Sequence, residues 1–355
     1  QWICQTMSLA DDIADATIRH QIYLQRYKSG VVKDILKLLG NVEDDIISDL
    51  AKRDLQKLSP KQLGGLLNNL KRKIKNGYKP LIDKLSEEVK ELGSYEKQFQ
   101  MNMYERLIPI NLSLISPSNE QIYAAAVARP FQGLLLREWY NGMPDGTFRR
   151  VKTAIRQGYV EGQTTQQIVR QIRGTRSQAG IIQQSRRGAE ATVRTALAHT
   201  ANVARNEIYK QNNSRIKVIQ WVATLDGRTS AICRAYDGKV FPPKSGPRPP
   251  IHINCRSTTI AVFKTSRQLQ KMLKIKNIPM GTRSSMNGQV AIDLDYNKWL
   301  KKQPKAFQNE VLGRKKGDLF RAGVPMDRFI DKAGNELTLQ ELKERESSSW
   351  AKAGL

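Results

Sequence analysis

The sequence is poor in cysteine, in histidine and in long apolar runs. Three cysteines (Cys4, Cys233 and Cys255) cannot build a disulfide scaffold, and they suit synthesis in a reducing compartment. A nucleophile–base pair would have to draw on His20, His199 or His252. No apolar run approaches the roughly 20 residues that cross a bilayer. No charged segment followed by an apolar one opens the chain, so no secretory signal is expected. Met7-Ser8-Leu9 reads like a natural start, with residues 1–6 as an extension. Acidic residues are the other shortage: 33 Asp and Glu against 59 Lys and Arg leave a formal charge of +26. Core material is not lacking. The chain has 355 residues, enough for two or three domains, and its five Trp and eleven Tyr exclude a wholly disordered polymer.

The charge is unevenly placed. Residues 1–128 are nearly neutral at +2, residues 129–217 carry +11 and residues 218–355 carry +13. A sustained excess of this kind is the footprint of a polyanion partner, because neutralised phosphates release condensed counterions. An isolated Lys-rich run would be read as a solvated face.

Apolar spacing gives the elements. Ile35, Leu38, Leu39, Val42, Ile46 and Leu50 recur every three or four residues, as do Leu63, Leu66, Leu67, Leu70 and Ile74. Residues 8–108 are thus successive amphipathic helices, with Gly40, Ser59-Pro60, Asn76-Gly77 and Gly93 expected to punctuate them. Pro109, Pro117 and Pro130 mark a connector, and Asn141 to Gly146 is expected to turn. Thr164 or Thr165 is expected to N-cap a short helix, with Gln166 or Gln167 placed for capping-box contacts, and Gly174 to end it. The stretch 186–212 is the clearest helix. On it Arg187, Arg194 and Arg205 fall on one line at about 100° per residue. With Arg173, Arg176 and Arg186 they are the candidate nucleic-acid contacts, against the alternative of a solvated face. Strands follow at 217–223 and 257–263, around an expected Asp237-Gly238 hairpin and a proline-rich loop. In the tail, Val290 to Leu294 suits a strand, a helix between Asn297 and Leu312 breaks at Pro304, and a last helix covers Leu337 to Glu346. The expected class is α+β, predominantly α-helical. Its parts are 1–128 (helical), 129–216 (basic helical), 217–265 (a small β unit) and 266–355 (a mixed tail).

The β unit holds the one constellation that could carry chemistry: Cys233, His252 and Cys255, spaced C-x18-H-x2-C. Thiolate and imidazole are zinc ligands, and structural zinc wants four, so Asp226, Asp237 or a water would be the fourth, although oxygen ligands are less usual in structural sites. The competing reading is two buried thiols and a hydrogen-bonded histidine that lock the proline loop. No cofactor other than structural zinc is suggested. There is no G-x-S-x-G, Walker loop or H-E-x-x-H, the Asp293/Asp295 pair is too commonplace to signal a nuclease, and an enzyme is not expected.

An ordered series of residues then resembles a known family. It runs from Ala191-Thr192-Val193-Arg194-Thr195 and Ala204-Arg205-Asn206 through Trp221 to Thr229, including Asp226 and Arg228. It continues with Cys233 and Asp237-Gly238-Lys239, and closes with Pro249-Pro250-Ile251-His252-Ile253-Asn254-Cys255-Arg256. This is similar to the phage Mu protein F-like minor head proteins, the phage head morphogenesis family. The tail resembles related phage proteins through Tyr296 to Pro304 and Asp318 to Gly323. Members often carry further cysteines where this chain has Ser230 and Ser257, which leaves any metal site fewer soft ligands. Trp221, Asp226, Arg228, Asp237, Gly238, Asn254 and Arg256 are accordingly read as a conformational motif.

The resemblance implies a virion protein of a tailed phage, made in the host cytoplasm and present inside the head near the portal vertex. It implies the portal, capsid or scaffold components and double-stranded DNA as partners, with roles in head assembly and in DNA packaging and ejection. The near-neutral N-terminal helices would be free to contact the portal. The alternative is a nuclease or toxin-like activity carried on a head-protein module. A sequence-reading regulator would need a helix-turn-helix, and none has convincing spacing.

Overall fold

A computed structural model describes residues 9–108, 113–175, 177–263, 282–291 and 294–355. Cys4, Met7, Ser8, Pro109, Arg176, Ile292 and Asp293 lie outside the described residues. The molecule is predominantly helical α+β, as the periodicity predicts.

Two long helices form the base: α1 (Leu9–Ala51) and α2 (Pro60–Leu107). Their stripes meet along Ile35, Leu39, Val42, Ile46, Leu70, Ile74, Leu81 and Leu85, all buried. Ser59 starts α2 with a reciprocal capping box to Gln62. The other expected breaks do not occur, because Gly40, Gly77 and Gly93 lie inside these helices. Gly77 sits where a side chain would collide with Val42: a Cβ there would stand 2.4 Å from a Val42 methyl. Close packing repays the poor propensity of glycine.

Four helices complete this part: α3 (Asn119–Ala128), α4 (Leu136–Val160), α5 (Thr165–Arg173) and α6 (Ile181–Gln211). The expected turn at Asn141 to Gly146 is instead interior α4, with Pro144 buried within it. Tyr140, Val151 and Ile155 on either side face the core, and burial overrides the local turn signal. The α5 signals hold: Thr164 accepts from the Gln167 amide at 3.2 Å, Gln167 returns to the Thr164 amide at 2.7 Å, and Gly174 ends the helix at φ 88°. The central helix α6 packs against α1 through α5. One apolar core therefore runs from Leu24 to Ala201, across the boundary expected at 128/129.

Beyond α6 the chain forms a three-stranded antiparallel sheet, β1 (Ile216–Val222), β2 (Val240–Phe241) and β3 (Thr258–Phe263), in the order β2-β1-β3. Trp221 pairs with Thr259 and Ile219 with Phe241. Between β1 and β2 a short helix, α7 (Ala231–Tyr236), replaces the expected two-residue hairpin. Asp237-Gly238 leads out of that helix, with Gly238 at φ 79°. A second hairpin, β4 (Thr282–Ser285) and β5 (Gly288–Ala291), bridges back to Leu225. The tail has α8 (Tyr296–Lys301), α9 (Lys305–Leu312), α10 (Arg314–Arg321), α11 (Leu339–Arg345) and α12 (Ser347–Lys352). Pro304 separates α8 from α9 as expected. Trp299, Phe320, Phe329, Leu342 and Trp350 give this tail its own core, which Leu225 joins. Among the described residues no helix is long and apolar enough to cross a membrane.

Candidate functional site

Three segments converge beneath β1. The first is α7, which presents Cys233. The second is the turn His252-Ile253-Asn254-Cys255, closed by the Cys255 amide donating to the His252 carbonyl at 3.2 Å. Asn254 sits at φ 59°, a conformation that asparagine tolerates better than most residues. The third is α6, whose Thr195 hydroxyl accepts from the Asn254 amide at 3.0 Å and pins the turn. The peptide Pro249-Pro250 at the loop's end is cis.

Cys233, His252 and Cys255 consequently meet, with ligand atoms all within 4.8 Å. Among the described residues no other group of three such side chains gathers this way. The two sulfurs stand 3.8 Å apart, and Cys233 Sγ lies 3.2 Å from His252 Nε2. On a tetrahedral zinc with bonds near 2.3 Å, two thiolates would stand about 3.8 Å apart. His252 Nδ1 donates to the Ile253 carbonyl at 2.8 Å, which leaves the Nε2 lone pair directed at the sulfurs. The chemistry of the donor set thus suits a metal. Cys233, His252 and Cys255 would hold it; in the bare cluster the Ser230 hydroxyl hydrogen-bonds His252 Nε2 at 2.8 Å. In the bare cluster the hydrogen bond from Cys233 holds the Cys255 thiol well below the usual thiol range, against the effect of burial and with help from His252. Cys233 is pushed up by the same bond and by burial. His252 is raised, chiefly by its bond to Cys255.

Neither proposed acidic ligand reaches the cluster. The Asp226 carboxylate is gripped by both Arg256 nitrogens, at 2.5 and 2.8 Å, and also accepts from the Arg228 amide and the Thr229 hydroxyl. Its pKa is lowered even though burial opposes this, mainly by Arg256. Asp237 is a buried hub: it accepts from the amides of Ala223 and Tyr296, each at 2.7 Å, and from Arg283 at 2.9 and 3.0 Å. Sequence reasoning missed Arg283, because nothing local distinguishes it from any other arginine. The remaining motif residues have structural work. Trp221 is fully buried against both cysteines, and its carbonyl accepts from the Gly238 amide at 3.0 Å.

The candidate phosphate contacts separate. Arg187, Arg194, Arg228 and Arg256 all line an open cleft of about 810 Å³ whose wall also includes His252 and Cys255 of the cluster. Arg173 is exposed elsewhere, on α5. Arg186 reaches across to Glu43 on α1 at 3.4 Å. Arg205 does not belong with them: its side chain is 0% exposed and paired with Glu96 at 2.6 Å. It also donates to Thr258 on β3. The helical angle is right, but this part of α6 is enclosed on all sides, so the line meets protein instead of solvent. Burial would raise the Glu96 carboxyl, yet Arg205 and the His20 bond hold it at about 2. Lys28, from α1, also lines the cleft. Burial, then Arg205, pulls its ammonium down to about 7.

Residues 149–260 match the family model described as Phage Mu protein F like protein. The matched stretch contains the second half of α4, all of α5 and α6, the Cys–His cluster and the first residues of β3. This part of the chain is thus similar to the phage Mu protein F-like proteins, the family that the motif series resembles. The comparisons with curated proteins and with solved structures found no match.

Proposed function

We propose that this protein is a minor head protein of a tailed phage that sits at the portal vertex and holds packaged duplex without reading its sequence. A head morphogenesis protein belongs with capsid assembly and the virion, which the family match supports. The observation that carries the DNA reading is the gathering of Arg187, Arg194, Arg228 and Arg256 around one cleft. Arginine forks suit phosphate oxygens. The surface groups among them, above all Arg187 and the 84% exposed Arg228, can meet a duplex directly. The Cys–His cluster, loaded with zinc, holds the loop that presents Arg256 and has a structural role. The protein turns over neither nucleotide nor nucleic acid.

The test is binding of covalently closed duplex across a salt series. Several neutralised phosphates give a log–log slope of about −0.9 per contact, with no preference between unrelated sequences. Absence of binding near 50 mM salt overturns the DNA reading. Turnover that is lost in Cys255→Ala or His252→Ala would favour the enzymatic alternative. Metal content of the purified protein decides zinc.

A further inference from the structure

The cleft has a floor that the duplex reading does not use. Of its lining lysines, arginines and carboxylates, five are cationic (Lys28, Arg187, Arg194, Arg228 and Arg256) and one, Glu190, is acidic; the acidified thiol of Cys255 lies on the same wall. Glu190 is taken by Arg194 at 2.8 Å, and Arg256 is satisfied by Asp226. Lys28 has no hydrogen-bond or ion-pair partner among the described residues, and it is only 3% exposed. Lysine normally keeps its ammonium in water along an apolar stem. The charged surroundings of Lys28 are Arg205 and Arg194 on one side of the balance and Cys255 and Glu96 on the other. Burial without a direct ion pair is costly, a cost that an entering anion in contact with the ammonium lowers.

The size and depth of the cleft choose among anions. Duplex DNA is stiff over about 50 nm, and its phosphates stay on the outside of a rod. They can meet Arg187 and Arg228, which are surface groups, but not a lysine at the bottom of a cleft. We propose that the Lys28 cleft binds a phosphomonoester on a slender carrier, either the phosphorylated end of a nucleic-acid strand or a free nucleotide. The phosphate would sit between Lys28 and Arg194, with Arg187 at the mouth. This deepens the nucleic-acid reading and rests on it, yet it asks for a group that closed duplex does not have.

The experiment compares three probes by fluorescence anisotropy and competition: a short single strand with a 5′-phosphate, the same strand with a 5′-hydroxyl, and covalently closed circular duplex. The phosphate is expected to tighten strand binding about tenfold, equivalent to about 1.4 kcal/mol. Lys28→Met is expected to erase that increment while circular duplex binds as before. Competition by AMP would assign the site to free nucleotides, and its absence would assign it to strand ends. Equal affinity of the two strands for the wild-type protein, with no binding of AMP, overturns the proposal and does not require the variant to fold. So does an increment that survives in Lys28→Met. Failure of circular duplex to bind would instead sink the duplex reading, with the strand comparison still readable.

Discussion

Glu96 accepts three buried donors or partners at once: Arg205 at 2.6 Å, His20 at 2.6 Å and Gln100 at 2.8 Å. Glu96→Gln keeps the shape but strands the Arg205 charge, and is expected to cost about 3–5 kcal/mol, read from urea unfolding. Acid acts on the same carboxylate. Its folded pKa of about 2 lies below the ordinary 4.5, so its contribution is complete above pH 4.5 and is lost as the pH falls towards 2. His199 adds an earlier loss. Burial lowers its imidazole from 6.5 to about 4, so the folded state keeps it neutral and loses stability as the pH falls from 6.5 to 4. The melting temperature should therefore drop in two stages below neutrality, and His199→Gln should flatten the upper one; His252, raised in the fold, slopes the other way and is common to both proteins. None of the Glu96 network was legible. Its members are 76 and 109 residues apart, and a buried glutamate has no local signature. The Cys–His triad was legible because thiols and imidazoles are scarce here. Its fourth partner was not, since both aspartates had arginine or amide partners that only the fold brings near.

Helix ends were readable where side chains cap them and unreadable where glycine seemed to break them. Thr164, one of the two threonines expected to cap, does so because a capping box is a purely local bond, and Ser59 and Thr338, not among the expected caps, cap their helices in the same way. Gly77 and Gly158 looked like punctuation or went unremarked, yet both are points of close approach, to Val42 and to Ile168. Gly77→Ala is expected to destabilise by about 1–3 kcal/mol despite the better helix propensity of alanine, because Val42 is β-branched and cannot swing away. Gly65→Ala, on the same helix with nothing within 4 Å of the added methyl, should stabilise by roughly 0.5–1 kcal/mol. Chemical denaturation of the two variants side by side checks the opposite signs. The strands at 216–222 and 258–263 lay within a residue or so of their expected positions, since β-branched runs flanked by turn residues announce themselves. The helix at Ala231–Tyr236 was hidden behind the stronger Asp-Gly signal that follows it.

At the scale of the whole molecule, composition and folding divide the chain differently. Nearly all the net charge lies beyond residue 128, but the apolar core ignores that border, with Leu24 to Leu92 packed on Phe131 to Ala201. A fragment of residues 129–211, which lacks the tail's own core, is therefore expected to show no cooperative melt by calorimetry; a sharp transition at the intact protein's temperature would refute the shared core. The near-neutral helices are thus a wall of the cationic cleft as well as a surface for other contacts. The order of the sheet has a consequence for synthesis. Its central strand is made before either neighbour, and Thr258, which takes the Arg205 guanidinium, is translated 53 residues after it. A ribosome that has released the long helices has yet to deliver the piece that shuts them. The emerging chain must carry an open seam until the segment after Cys255 clears the exit tunnel, so a stalled or truncated product exposes its most polar interior first.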